Sequence, residues 1–223
     1  MKVAALISGG KDSIHAIYIA LQYGWDVTYL VNLIPSNKNS WMFHSINLQV
    51  VPAIADSLGI PLVTKHTNGE KERELDDLEA ALKNLPVEGI ISGAVASDYQ
   101  RTRINHVCDS LNLKSFTPLW HKNPEQLVRW QVDAGFRFII VSVSAKGLGR
   151  EWLGKEINEK SIDGLIEHCR KHRIHVAGEG GEFETLVIDC PIYKKRLIIE
   201  DAETIWSRDY GHLVIKSVDS KLK

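Results

Sequence analysis

The sequence predicts an α/β fold, with a parallel sheet in the first domain and a second, smaller mixed α/β domain after it. Two observations support this prediction. Short apolar runs alternate with helical patterns through the first half, which is typical of parallel strands joined by right-handed crossover helices. Near Asn123 this alternation stops, and several strand-like segments follow one another. We therefore expect two domains, residues 1–122 and 123–223.

The first half contains four strand signals and four helix signals. The clearest helix, Glu70–Leu85, carries four leucines on one face. The last helix follows a capping pair, because Ser97 precedes Gln100 by three residues. Strands are expected at Val3–Ile7, Val27–Ile34, Leu62–Thr64 and Gly89–Ser92, and helices at Asp12–Tyr23, Ile46–Leu58, Glu70–Leu85 and Asp98–Leu111.

The second half mixes helices with strands joined by turns. A helix at Pro124–Ala134 leads into a strand at Phe136–Ser144, and a second helix covers Ile162–His172. The chain end is expected to fray, as most termini do. Three further strands are expected at Thr185–Asp189, Leu197–Glu200 and Leu213–Ser217, and the fraying residues are Lys221–Lys223.

Composition narrows the classes of function. The net charge is −1 over 223 residues, so nothing indicates broad binding to nucleic acid or a membrane surface. The three cysteines form no C-x-x-C pair, which favours a reduced, cytoplasmic setting and disfavours a structural zinc. No apolar run has the length of a membrane span, and the N-terminus does not resemble a signal peptide.

The segment Ser8–Ser13, with the sequence Ser-Gly-Gly-Lys-Asp-Ser, joins the first predicted strand to the first helix. Glycines let backbone amides turn toward one point, and a helix N-terminus adds unpaired N–H donors. Two serine hydroxyls and the charge of Lys11 complete a pattern that predicts a pyrophosphate site. The alternative is a tight strand-to-helix turn. A second glycine-rich segment, Gly149–Lys155, lacks the hydroxyl residue that the common nucleotide loop requires.

A second candidate segment, Gly93–Arg103, leaves a predicted central strand and enters a helix. Ligands of open α/β sheets bind beyond the carboxyl ends of the strands, so this segment, Ser8–Ser13 and Asn32–Ser36 should converge. Arg101 and Arg103 are suited to clamp a phosphate or carboxylate. The alternative is a capped helix with a solvated charged face.

The third candidate, Gly178–Thr185, places three glutamates among three glycines, which is an unusual composition for a plain turn. Glycines let the backbone approach a ligand closely. Clustered carboxylates can hold Mg²⁺, bind a cation or act as a general base. The alternative is a glycine-rich turn whose acids face water.

Two histidine-containing segments are weaker candidates. Ser40–His44 carries two aromatics and a histidine after the second strand, and His44 is a candidate contact for phosphate or substrate; packing is the alternative. His168 and His172 are four apart on a helix, but no glutamate lies between them. Basic neighbours favour a solvated face over a metal site there.

Together, the motifs Ser8–Ser13, Gly93–Arg103 and Gly178–Tyr193 resemble those of the diphthine–ammonia ligases. The resemblance extends over essentially the whole chain. It implies an ATP pyrophosphatase domain of the Rossmann-like, HUP type, followed by a family-specific substrate domain. A sister group associated with corrinoid salvage tends to have asparagine and histidine where this chain has Gly181 and Glu184, which favours the ligase.

The resemblance implies a reaction and its participants. Such ligases amidate diphthine to diphthamide on translation elongation factor 2 through an acyl-adenylate, and they release AMP and pyrophosphate. ATP and Mg²⁺ are the expected cofactors, and ammonium is the expected nitrogen donor. No direct nucleic-acid or membrane partner is implied, self-association into a homo-oligomer is left open, and the metal ligands are unassigned.

The motifs and the resemblance together assign residues to roles. The expected catalytic residues are Lys11, Glu182 and Glu184. ATP would be held by Ser8, Gly9, Gly10, Lys11, Asp12, Ser13, Asn32, Leu33 and Gly93, and the substrate by His44, Asp98, Tyr99, Gln100, Arg103, Glu179, Gly180 and Gly181.

Two other functions stay open from the sequence. One is ATP-dependent amidation or adenylation of another carboxylate, such as a corrinoid side chain. The other is a nucleotide sensor without turnover. The intact Ser8–Ser13 motif argues against the sensor, because sensors of related fold use a different glycine spacing.

Overall fold

The computed structural model of the chain describes residues 1–36, 46–68 and 73–223. These residues form two compact units. The first comprises Met1–Ser8 and Asp12–Trp120, and the second comprises Gly9–Lys11 and His121–Lys223. The glycine loop Ser8–Ser13 is therefore divided between the two units.

The first unit is built on a parallel sheet, as predicted, but the sheet has five strands and not the four that the sequence indicated. Its spatial order is β3-β2-β1-β4-β5, so the chain moves outward on one side of β1 and then returns to the other side. The strands are β1 Lys2–Leu6, β2 Asp26–Pro35, β3 Leu62–Thr67, β4 Gly89–Ile91 and β5 Lys114–Phe116, and the helices are α1 Lys11–Gln22, α2 Val51–Leu58, α3 Arg73–Leu82 and α4 Asp98–Ser110.

Helices α3 and α4 cover one face of this sheet. The leucine stripe of α3 packs against β1, β2, β4 and α4, with Leu78 and Leu82 fully buried. The helix ends at Leu82, not at the predicted Leu85, because a residue before proline avoids helical backbone angles and Pro86 follows Leu85. The predicted start of this helix lies outside the described residues.

The helix predicted at Ile46–Leu58 is shorter in the structure. A 3-10 turn, Leu48–Val50, precedes α2, which begins at Val51. Proline is tolerated in the first turn of a helix but not in its interior, and Pro52 lies in the first turn of α2. The proline therefore fixes where the regular helix starts.

The second unit is the predicted smaller mixed α/β domain, with an antiparallel sheet and two helices. Strand β6 is central and pairs with β7, β8 and β10, and β10 continues to β9. Its core contains Phe136, Phe138 and Leu127, which are fully buried. The strands are β6 Arg137–Val143, β7 Glu156–Ile157, β8 Phe183–Asp189, β9 Lys195–Ser207 and β10 Tyr210–Leu222, and the helices are α5 Pro124–Asp133 and α6 Ile162–His172.

The chain end forms a long hairpin of β9 and β10. Each strand has 13 residues, far more than the segments Leu197–Glu200 and Leu213–Ser217 that the sequence predicts. The prediction that Lys221–Lys223 fray is wrong. Lys221 and Leu222 pair with β9, and the Lys223 ammonium donates 2.5 Å to the Cys190 carbonyl and pairs with the Asp189 carboxylate.

Candidate functional site

Two loops meet at the carboxyl edge of the parallel sheet. The chain turns outward in opposite directions from β1 and β4, and this switch point is where open α/β sheets bind ligands. A Cβ atom added to Gly93, just after β4, would lie 2.6 Å from the Ser13 amide nitrogen and 2.7 Å from the Asp12 carbonyl carbon. Only glycine lets the loop after β4 approach the N-terminal turn of α1 this closely.

The loop after β1 presents two adjacent hydroxyl groups. The Ser13 Oγ atom lies 3.4 Å from both the amide nitrogen and the Oγ atom of Ser8. Gly9 has φ +84°, a conformation that glycine adopts without strain. Serine hydroxyls and the first turn of a helix such as the 12-residue α1 are donors that suit a phosphate group, and phosphate binding here stays a prediction.

The middle of this loop belongs to the second unit. The Lys11 amide donates to the Thr185 hydroxyl at 3.2 Å, and the Val187 amide donates to the Gly9 carbonyl at 3.0 Å. Gly9–Lys11 therefore lies along β8.

Lys11 itself is deeply buried in this structure. Only 3% of the residue is exposed, and its ammonium donates 2.7 Å to the Ala177 carbonyl and lies 5.9 Å from the Phe183 ring centroid. Burial of an ammonium is costly unless it is hydrogen-bonded, and the carbonyl supplies an acceptor. The predicted role of Lys11 in neutralising phosphate charge stays a prediction.

Asn32 and Leu33 lie in β2, next to β1. Asn32 comes just after the last β2 residue that pairs with β1 and is 2% exposed. Leu33 belongs to the hydrophobic core of the first unit, so its side chain serves packing. Their predicted contact with adenine stays a prediction.

The segment Gly93–Arg103 contains the capped helix that its sequence indicates. The Ser97 hydroxyl accepts the Gln100 amide at 3.3 Å and caps α4. Arg103 stacks on the Tyr99 ring at 3.7 Å, and Arg101 lies 4.4 Å from the centroid of Trp120. Asp98 is exposed, whereas the side chains of Tyr99, Gln100 and Arg103 are half-buried.

The glutamate-containing turn connects α6 to β8. The Glu182 carboxylate accepts the Gly180 amide at 2.8 Å and the His175 amide at 3.4 Å. The Glu179 amide donates to the Nδ1 atom of His175 at 3.4 Å. Glu184 lies in β8, in register with Ser142 of β6.

The glycines of this turn are required for different reasons. Gly178 has φ +73°, and an added Cβ would lie 2.6 Å from the Phe183 carbonyl oxygen. Gly181 also has positive φ but faces open space, whereas a Cβ on Gly180 would lie 2.9 Å from a Glu182 carboxylate oxygen. The turn thus combines two left-handed positions with one close approach to a carboxylate.

The histidine pair of α6 lies on the solvated basic face that the sequence predicts, because His172 and its basic neighbours are exposed, and only His168 is half-buried. The His168 ring lies 4.4 Å from the His172 ring and 4.7 Å from the Trp152 ring, and its Nε2 atom is 2.7 Å from the Gly147 carbonyl. The other candidate histidine, His44, lies outside the described residues, as does the whole segment Ser40–His44.

Comparison with known proteins places these features in one family. Residues 1–115 match the diphthamide synthase N-terminal domain, and residues 123–220 match the diphthamide synthase C-terminal domain. The chain belongs to the diphthamide synthase family. The resemblance read from the three motifs is thereby confirmed.

Individual relatives of this diphthamide synthase family member carry the name diphthine–ammonia ligase. The Schizosaccharomyces pombe protein is 37% identical over 225 residues, which cover 92% of this chain and 37% of that protein. The human protein is 35% identical over 228 residues, covering 92% of this chain and 85% of that protein. The prediction of a ligase is confirmed at the level of the family.

A solved structure also aligns with much of the chain. The crystal structure of a predicted subunit of a tRNA methyltransferase from Methanocaldococcus jannaschii aligns with a TM-score of 0.48 at 14% identity. The alignment covers 86% of this chain and 98% of that one.

Three residues that contact the family's motifs were not predicted from the sequence. Ser144 donates its hydroxyl to the Gly181 carbonyl at 2.5 Å, His175 contacts both ends of the glutamate turn, and Thr185 accepts the Lys11 amide. Thr185 ends the third motif, so its position was a usable signal. Ser144 and His175 carry no local signal, because their roles depend on chain segments brought together by folding.

The cysteines of this family member are buried and reduced. Burial raises the pKa of Cys108 to about 11 and that of Cys190 to about 12. Burial also raises the pKa of Cys169 to about 11, and the nearby Glu182 carboxylate adds to the rise. These thiols therefore stay neutral near pH 7 and are poor nucleophiles.

The described residues contain neither a cluster of metal-binding side chains nor a membrane-spanning helix. In residues 1–36, 46–68 and 73–223, no group of three or more His, Cys, Asp or Glu side chains is arranged to hold a metal ion. Within the same ranges, no helix has the length and apolar character needed to cross a bilayer.

Proposed function

We propose that this chain amidates diphthine to diphthamide on translation elongation factor 2, with ATP and ammonium as the other substrates. The observation that carries the proposal is the close meeting of the glycine loop with Gly93 at the switch point of the parallel sheet. That meeting creates a concentration of N–H and hydroxyl donors at the carboxyl edge, where a triphosphate is bound in such folds. The family membership supplies the reaction class.

The reaction proceeds in two half-reactions. A carboxylate oxygen of diphthine bonds to the α-phosphorus of ATP, and pyrophosphate leaves, which gives an acyl-adenylate. The nitrogen of ammonia then bonds to the acyl carbon, and AMP leaves. Two protons are released in total, one when ammonium becomes ammonia and one when the amide forms.

The glycine loop serves the first half-reaction. The amides of Gly9 and Gly10 and the hydroxyls of Ser8 and Ser13 hold the departing pyrophosphate. Charge develops on this group as the bond breaks, and fixed donors aimed at developing charge are the largest source of catalysis in many enzymes. Mg²⁺, when bound, would supply further neutralisation, and Asp12 is the carboxylate of this loop.

The second half-reaction needs a proton acceptor for ammonium. Glu179, Glu182 and Glu184 are the candidate carboxylates, because they surround one glycine-rich turn. Asp98, Gln100 and Arg103 on α4 are proposed to orient the protein substrate. A cytoplasmic setting and free ammonium as the donor complete the proposal.

A direct assay tests this proposal. The purified chain is incubated with diphthine-bearing elongation factor 2, ATP and ammonium, and the modified histidine is followed by peptide mass spectrometry while nucleotides are separated by chromatography. We expect conversion of the carboxyl group to a carboxamide with one AMP per amide. Main products of ADP and phosphate, or amidation only of a different carboxylate, would overturn the assignment.

A loop variant provides the matched negative control. Gly10→Val places a branched side chain among the proposed phosphate donors, so ATP binding and amidation should both be lost. Gly164→Ala serves as the comparison, because it lies in α6 with no atom within 4 Å of an added Cβ. Normal ATP affinity in Gly10→Val would contradict the loop assignment.

A further inference from the structure

Glu182 differs from a free catalytic carboxylate in how its two oxygens are used. One oxygen accepts the Gly180 amide at 2.8 Å, and the other lies 3.4 Å from the His175 amide. Both donors belong to the segment that this residue closes. A carboxylate that accepts backbone N–H groups makes stronger hydrogen bonds than a neutral acceptor does.

Ser144, at the end of β6, forms two further hydrogen bonds to the same turn. The Ser144 hydroxyl donates to the Gly181 carbonyl at 2.5 Å, and the Ser144 amide donates to the Glu182 carbonyl at 2.9 Å. Ser144 directly follows the last residue of β6, which pairs with β8. The turn is thereby fixed both by its own glutamate and by the end of a central strand.

We infer that Glu182 is a positioning residue that holds the glycine turn, and that it is not the base that takes the proton from ammonium. This inference rests on the proposed amidation. Its physical basis is that both carboxylate oxygens of Glu182 accept backbone amides of its own turn, one from Gly180 and one from His175. Glu182 then acts by fixing the geometry of Gly178–Gly181, with Ser144 as its partner in that role.

The first test measures the turn without any enzymatic reaction. Amide hydrogen exchange at Gly180 should be slow in the wild type and faster by about tenfold or more in Glu182→Ala, because the amide loses its acceptor. Glu184→Gln should leave this exchange unchanged. Unchanged Gly180 exchange in Glu182→Ala would overturn the inference.

The second test separates a positioning residue from a general base. Glutamine keeps one acceptor oxygen, so Glu182→Gln should retain more amidation than Glu182→Ala, with losses of about tenfold and about a hundredfold. If Glu182 were the general base, the amidation rate would fall equally in both variants. The pH–rate profile would also lose its acidic limb. His175 and Cys169 are titratable groups beside Glu182, and Glu179 bonds to His175 in the same turn; all three are unchanged in these variants.

The third variant removes the Ser144 hydroxyl, which bonds to the same turn. Ser144→Ala should lower the single-turnover rate of amidation, as Glu182→Ala does, and the pH–rate profile should keep its acidic limb. Glu167→Gln, on the exposed face of α6, should leave the rate unchanged. Equal losses in Glu182→Gln and Glu182→Ala, with the acidic limb gone, would identify Glu182 as the base. Absence of amidation by the wild type would remove the proposed function, whereas the exchange experiment would still decide whether Glu182 holds the turn.

Discussion

Gly93→Ala should damage both the stability of the chain and its affinity for ATP. An added Cβ would lie 2.6 Å from the Ser13 nitrogen, 2.7 Å from the Asp12 carbon and 2.8 Å from the Asp12 oxygen. All three are backbone atoms, so no side-chain rotation relieves the contact. The loop after β4 or the first turn of α1 has to move.

The size of the effect follows from these distances. Ordinary contact begins near 3.4 Å, so the Cβ and the Ser13 nitrogen must separate by 0.8 Å, from 2.6 to 3.4 Å. Forced packing of this kind costs about 1–3 kcal/mol, which lowers the melting temperature by about 2–4 °C per kcal/mol. Loss of one hydrogen bond to a phosphate oxygen weakens ATP binding by about tenfold to a hundredfold.

The assay compares two glycine-to-alanine variants, one expected to be destabilised and one expected to be stabilised. Thermal unfolding and calorimetric titration with ATP are measured for Gly93→Ala and for Gly164→Ala. Gly164 lies in α6 with no atom within 4 Å of an added Cβ, so alanine there should stabilise the helix by about 0.5–1 kcal/mol and leave ATP affinity unchanged. Wild-type stability and ATP affinity in Gly93→Ala would refute the reasoning.

Three further predictions concern two lysine contacts and the buried thiols. Lys11→Met should lower the free energy of unfolding in urea by about 1.5–3 kcal/mol, because the Ala177 carbonyl loses a charged donor; an unchanged value would show that the contact contributes nothing. Deletion of Lys223 should lower the melting temperature, since its ammonium bonds to the Cys190 carbonyl, and Lys223→Met should reproduce the loss. The three buried thiols have pKa values raised to about 11 or 12, above the unfolded value of about 8.5. The contribution of these thiols to the free energy of unfolding is therefore complete below the unfolded pKa and is lost as pH rises toward 11. The free energy of unfolding in urea should be lower at pH 10.5 than at pH 8. This decrease should be smaller in Cys169→Ala.

The parts of the fold that depend on local pattern were predictable from the sequence. The Ser97 cap of α4 and the apolar stripe of α3 are readable from a few neighbouring residues, and both are present. Strand β5 was missed because it is three residues long and mostly exposed, and the two-residue strand β7 is too short for any periodic signal.

The hairpin of β9 and β10 was underestimated for a different reason. Its residues alternate with polar and charged side chains on a largely exposed surface, so hydrophobic periodicity marks only its buried portion. The turn between the strands is Arg208 and Asp209, with Arg208 at φ +51°, and this pair lacks the glycine that commonly signals a two-residue hairpin turn.

The candidate site was predictable as a set of motifs but not as a set of contacts. The spacing of Ser8–Ser13 indicates an anion site on its own, because the chemistry lies in adjacent residues. The contact between Lys11 and Ala177 joins positions 166 residues apart, and the use of Glu182 as a turn acceptor depends on backbone angles at neighbouring glycines. No local pattern contains that information.

The grouping of Gly9–Lys11 with the second unit has a consequence for biosynthesis. These residues hydrogen-bond to Ala177, Thr185 and Val187, which follow them far along the chain. A ribosome adds about 5–20 residues per second, so about 9–35 s separate the translation of Lys11 from that of Val187. Once Phe116 has been made, the nascent chain contains every strand of the parallel sheet, but β8, which bonds to the middle of the glycine loop, does not yet exist. The middle of the glycine loop therefore acquires its contacts with β8 only late in translation.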